Sequence, residues 1–142
     1  MILLIILLLG LVMSQTVNKP APNQNIRFKE SEDALKWDVG AGSAVIRAWI
    51  MAFNEISNAI TGRGIVVTSW YRNDGAYHQD GVAFDVRRLS EANKAMGKEA
   101  YTPEQVSMIE QRVASRGLPI HIISKGEPNE HWHVGPIKWS NS

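Results

Sequence analysis

"HQDGVAFDVRR", residues 78–88, holds the pairing on which the reading of this chain turns. Within it "GVAFDV", 81–86, is a short β-branched and aromatic run after a glycine, the composition of a strand. Asp85 lies on that strand, while His78 precedes it in a turn. Gly81 allows the backbone to bend between them without a Cβ clash. Ala83 shares the strand parity of Asp85, so its small side chain leaves space beside the carboxylate. An imidazole and a carboxylate in this relation are either two solvated surface groups, with Asp85 paired to Arg87, or two ligands of one metal.

The strand has neighbours to pair with. "GIVVTSWY", 64–71, is β-branched and aromatic after a glycine, and "LPIHIIS" and "HWHVG" read as two further strands separated by the turn "KGEPN". Between 43 and 60, Ile46, Trp49, Ile50, Phe53, Ile56 and Ile60 recur at helical spacing, with Gly62 just beyond as a C-terminal stop. A further helix starts at Thr102 as N-cap, with Pro103 in the first position, Gln105 completing a capping box, and Gly117 at its end. Its apolar stripe is Val106, Ile109 and Val113. Ser90–Gly97 reads as one short helix. Short antiparallel strands with helices packed on one side make an α+β domain built on a small antiparallel sheet.

The chain has 142 residues, room for one ordinary domain. Its 44% hydrophobic and 20% charged content is that of a globular protein. A formal charge of +1 without a basic stripe argues against nucleic acid as partner. With no cysteine, disulfides, thiolate metal sites and a cysteine nucleophile are excluded. The first thirteen residues, "MILLIILLLGLVM", are uninterruptedly apolar but shorter than the roughly 20 residues of a spanning helix. Residues 1–14 are therefore expected to be a signal peptide, with Val12 and Ser14 as the small residues before cleavage, or a short membrane anchor formed by 1–13. No Lys or Arg precedes the run. Either reading puts the domain outside the cytoplasm, periplasmic, extracellular or anchored facing outward. Residues 15–25, with two prolines, form a linker, and the folded domain occupies 26–142. A monomer is the default.

The second chemical cluster is "EHWHV", 130–134. On a strand, His131 and His133 project from one face while Trp132 points the other way. They are either surface histidines on an edge strand or two imidazoles approaching a metal or an oxyanion. Set beside Asp85, one carboxylate and imidazoles suit Zn²⁺ with a fourth position left to water. His121, alternating with Ile120 and Ile122, reads as the polar face of a half-buried strand. Trp70 and Trp132 read as core, Asp80 as a solvated turn residue, Arg87 and Arg88 as surface charges, and Trp139 as an anchor for the tail.

Taken together, Ser69-Trp70-Tyr71-Arg72, then His78-Gln79-Asp80-Gly81-Val82-Ala83-Phe84-Asp85, then Glu130-His131-Trp132-His133 resembles the zinc D-Ala-D-Ala peptidases, peptidase family M15. That family shares the wider lysostaphin, D-Ala-D-Ala peptidase and hedgehog-like zinc fold. The similarity spans residues 64 to 135. It implies a secreted zinc metallopeptidase cutting the stem peptides of bacterial peptidoglycan, as a carboxypeptidase or an endopeptidase. By the same resemblance His78, Asp85 and His133 are the zinc ligands, and Glu130 is the general base for a zinc-activated water. Arg72 stabilises the oxyanion or holds a substrate carboxylate, and His131 helps to stabilise the tetrahedral intermediate or orients the site from behind the ligands. Two departures are visible: Ala76 stands where the family often has serine, and the spacer between Arg72 and His78 is short. On a regular strand Glu130 and His133 would face opposite ways, so the strand is expected to begin only after Glu130; otherwise His131 competes as the ligand. The alternative function is an inactive zinc-stabilised binding module of the same fold.

Overall fold

The computed structural model describes residues 25–70, 82–88 and 100–137. The expected leader at 1–14, nearly all of the linker, the helix over 90–97 and the role of Trp139 lie outside the described residues. Among those described, no helix is long and apolar enough to cross a membrane.

The chain runs β1 (Arg27–Phe28), α1 (Ser31–Asp38), α2 (Ala44–Thr61), β2 (Val66–Trp70), β3 (Phe84–Arg87), α3 (Pro103–Ser115), β4 (Ile120–Ile123) and β5 (His131–Val134). The strands form one five-stranded sheet in the order β1-β2-β3-β5-β4. The fold is α+β, as expected, but the sheet is mixed rather than antiparallel. β1 pairs in parallel with β2, Arg27 opposite Val66 and Phe28 opposite Val67, while the other three pairings are antiparallel. The reason is topological: α1 and α2 lie between β1 and β2, and a crossover of that length permits a parallel neighbour where a tight hairpin does not.

Local signals start and stop the two longer helices. Ser43 Oγ accepts the Ile46 N–H at the head of α2, and Gly62, at φ +72°, closes it with its N–H on the Asn58 carbonyl. At α3 the Thr102 hydroxyl accepts from Gln105 N while the Gln105 side chain accepts from Thr102 N, a complete capping box. Both helices turn their apolar stripes inward. Ile46, Ile50 and Phe53 of α2, and Ile109 and Val113 of α3, are buried against Val67, Trp70, Phe84, Val86, Trp132 and Val134 of the sheet. At about 25 cal/mol per Å² of apolar area, each such side chain contributes roughly 1.5–3 kcal/mol, and this one cluster is what holds the sheet to its helices.

α1 carries no such stripe. Its Leu35 is exposed, and no side chain caps its N-terminus. Trp37 fixes it instead, packing against Phe28 and, edge-on at 5.6 Å, against Trp70, whose indole N–H donates to the Asp33 carbonyl. Arg47 lies 4.0 Å over the Trp37 ring and donates to the Trp37 and Ala41 carbonyls, clamping the end of α1 to α2.

Candidate metal centre

Alternation along the strands sends the core residues one way and a polar row the other. On β3, Phe84 and Val86 enter the core, so Asp85 and Arg87 take the opposite face. On β5, Trp132 and Val134 are buried, so His131 and His133 take that same face. The register then sets Asp85 opposite both His133 and Ser69, and His133 opposite His121. Four polar side chains thus line up across β2, β3, β5 and β4, and the next rung carries Arg87 opposite His131.

Asp85 and His133 make the central contact. Asp85 is 8% exposed, and its Oδ1 stands 2.9 Å from His133 Nδ1 and 3.8 Å from His131 Nε2. Asp85 therefore meets histidine, not the Arg87 that the solvated reading assigned to it. The far nitrogen of His133, Nε2, lies 2.9 Å from the Pro136 carbonyl. Both ring nitrogens face oxygen acceptors, whereas a neutral imidazole has one N–H to donate. An imidazolium donating from both nitrogens satisfies the two contacts, and so does a neutral ring with Nε2–H on the carbonyl and a cation between Nδ1 and Asp85. A backbone carbonyl taking the second N–H of a ligating histidine is the usual means of fixing its tautomer. Tetrahedral zinc ligands at about 2.0–2.1 Å from the metal stand roughly 3.3 Å apart, so this pair needs to open by only a few tenths of an ångström. One carboxylate oxygen and one imidazole nitrogen are donors of the kind zinc takes, two of the three or four that a zinc site needs.

Small residues let the two strands approach closely at this end of the row. Gly135, at φ +139°, packs so closely on the preceding end of β3 that an added Cβ would fall 2.7 Å from Ala83 Cβ and 2.8 Å from the Val82 carbonyl. The small Ala83 next to Asp85 is thus matched by a glycine next to His133.

Glu130 lies just outside β5, which begins at His131, the geometry that lets Glu130 escape strand parity. It is 4% exposed, and its Oε1 accepts from Arg88 Nη1 at 2.7 Å and from the Gly126 N–H at 3.1 Å. Arg88 is not a surface charge. Its side chain is 11% exposed, and its Nε donates to Glu110 Oε1 at 2.8 Å, the same oxygen that takes the Trp132 indole N–H at 2.8 Å. Burial explains the correction: a guanidinium enclosed between two carboxylates keeps its charge without water. Glu110, unremarked in sequence because it sits on the polar flank of α3, links that helix to Arg88 and Trp132. Trp70 and Trp132 are both fully buried, and His121 is half-buried with its ring 6.4 Å from that of His133.

Of the expected site residues, Asp85, His131 and His133 are brought together, and Glu130 immediately precedes His131 at the head of β5, with its Oε1 on Arg88 and the Gly126 N–H. Arg72 and His78 lie outside the described residues, as do Ala76, Asp80 and Gly81. Among the described residues alone, no three His, Asp or Glu side chains form a group that could hold a metal ion. No protein-family model matches the chain, and no curated protein or solved structure shows significant similarity to it.

Proposed function

We propose that this chain is an exported zinc metallopeptidase of the M15 type, with a hedgehog-like fold, that hydrolyses peptide bonds in peptidoglycan stem peptides. The observation that carries the reading is the facing of Asp85 Oδ1 and His133 Nδ1 at 2.9 Å, with His133 Nε2 on a backbone carbonyl. The order of the three motif segments supports it, and so does the apolar N-terminus for export. Asp85, His133 and His78 would hold the metal. Zinc, when bound, supplies Lewis acidity that activates water and polarises the scissile carbonyl.

The chain's own residues supply the rest. Glu130 accepts a proton from the attacking water and returns it to the leaving amine. Arg88 and the Gly126 N–H both donate to its Oε1 and so fix the carboxyl plane. His131, held by Asn129 carbonyl at Nδ1 and turned towards Asp85 through Nε2, orients the carboxylate and faces the developing oxyanion. Arg72 supplies a planar fork of donors for the oxyanion or a substrate carboxylate.

Mass spectrometry of muropeptides incubated with the protein and zinc, beside a Glu130→Gln control, tests the reading. One hydrolysed peptide bond, absent from the control, is the expected product. A second reading, the inactive zinc-stabilised module, is favoured by the buried Arg88–Glu130 pair, which gives Glu130 a structural reason to be present. Intact muropeptides from a protein that holds one zinc would select that second reading.

A further inference from the structure

Beside the Asp85–His133 pair the polar face deepens into a cavity of about 350 Å³, lined by Lys29, Thr68, Arg87, Pro128, Asn129, Glu130 and His131. It carries two cations. Arg87 sits opposite His131 on the β3–β5 ladder and is half-buried, so its guanidinium is partly desolvated. Its acidic neighbours Asp85 and Glu130 pair with His133 and Arg88. Lys29 arrives from the end of β1, its backbone N–H bonded to the Val67 carbonyl. Its ammonium meets Glu30 only at 3.8 Å, in a pair more than half exposed, which solvent screens. Thr68 enters at the irregularity between Val67 and Ser69, where the β2–β3 register shifts, and adds a hydroxyl. The negative member, Glu130, is answered outside the cavity by Arg88.

We infer that this cavity is a subsite for a peptide carboxylate, and the inference rests on the peptidase reading of Asp85 and His133. Two cations, a hydroxyl and an imidazole in one half-open cavity suit a carboxylate, which accepts several charged hydrogen bonds at once. Distance selects which carboxylate. The Arg87–His131 rung lies two residues along the ladder from Asp85–His133, about 7 Å at the rise of a strand. A peptide advances at most about 3.6 Å per residue, so the anion belongs to the residue next to the scissile bond or to the one after it. The subsite thus specifies an acidic substrate, either through an acidic side chain or through a free C-terminal carboxylate close to the cut.

Stem peptides in which each carboxylate in turn is converted to the amide test this on the full-length protein. Amidation of the one near the cut is expected to raise KM about tenfold or more while kcat changes little. Which amide has that effect separates side-chain from terminal recognition. Arg87→Met with Lys29→Met should raise KM for the free acid and erase the difference between acid and amide. Calorimetric binding of the same peptides reads the subsite independently of turnover. Carboxylate-dependent binding that the double variant abolishes, without hydrolysis, keeps the subsite and sinks the peptidase. Equal KM or equal binding for every acid and amide pair overturns the subsite, as does discrimination that survives in the double variant.

Discussion

Replacing Arg88 by methionine isolates the charge that sits between two carboxylates. The substitution roughly preserves the aliphatic stem and removes the donors to Glu130 Oε1 and Glu110 Oε1. The Glu130 side chain is 2% exposed and cannot recover its lost partner from water, whereas that of Glu110, at 26%, partly can. Stranding one buried charge costs about 3–5 kcal/mol, most of it at Glu130. Against a total stability of about 5–15 kcal/mol for a domain, that is a large share. With a urea slope of about 2 kcal/mol per molar, the midpoint should fall by roughly 2 M. Glu130→Gln on the Arg88→Met background then removes the stranded charge and should restore about 2 kcal/mol or more. Urea unfolding of the wild type, the two single variants and the double variant measures this cycle. Costs that add to within about 0.5 kcal/mol would refute the argument, because independent sites add and a shared buried pair does not.

Three further outcomes follow from the same geometry. Zinc at a hundredfold excess over its Kd should stabilise the protein by about 2.7 kcal/mol, and Asp85→Ala should abolish both this and the zinc content measured by elemental analysis. Gly135→Ala should cost at least about 1 kcal/mol in thermal unfolding, since a Cβ there meets Ala83 and Val82 in a backbone conformation that suits glycine. Burial holds the Asp33 carboxyl above its ordinary 3.8, more than the nearby Lys36 lowers it. A carboxyl raised on folding contributes stability that is present below its unfolded pKa and is lost as pH climbs through the folded one. Asp33→Asn should therefore raise stability at neutral pH, with the gain fading as pH falls towards 3.8. An unchanged gain down to pH 3 would contradict that assignment.

Legibility in the sequence followed the range of the interactions. α2, α3 and the four antiparallel strands are written in periodicity and caps, which act within a few residues, and each element appears within two or three residues of its expected bounds. β1 and α1 are not. Two residues are too few to show alternation, and "SEDALKWD" has one core-facing aromatic, Trp37, whose partners Phe28 and Trp70 lie in other elements. The site divides in the same way. Strand parity alone puts His131 and His133 on one face, and a short strand after Glu130 is announced by Pro128 and Asn129. Arg88 gave no such sign, because its partners lie 22 and 42 residues away and a charge at a strand end ordinarily faces water.

The position of β3 beside β5 has a kinetic consequence. Residues 25–88 contribute β1, β2 and β3, residues 100–137 contribute β4 and β5, and the two halves of the sheet are joined along the single seam between β3 and β5. Asp85 and His133, 48 residues apart, straddle that seam. Closing so long a loop is entropically costly, so this seam is expected to form late, after both halves have built most of their own structure. The proposed zinc, bridging the pair, would then find its ligands only after the barrier is crossed. It should leave the folding rate almost untouched and slow unfolding by nearly its whole binding energy, a rivet set after the plates have met.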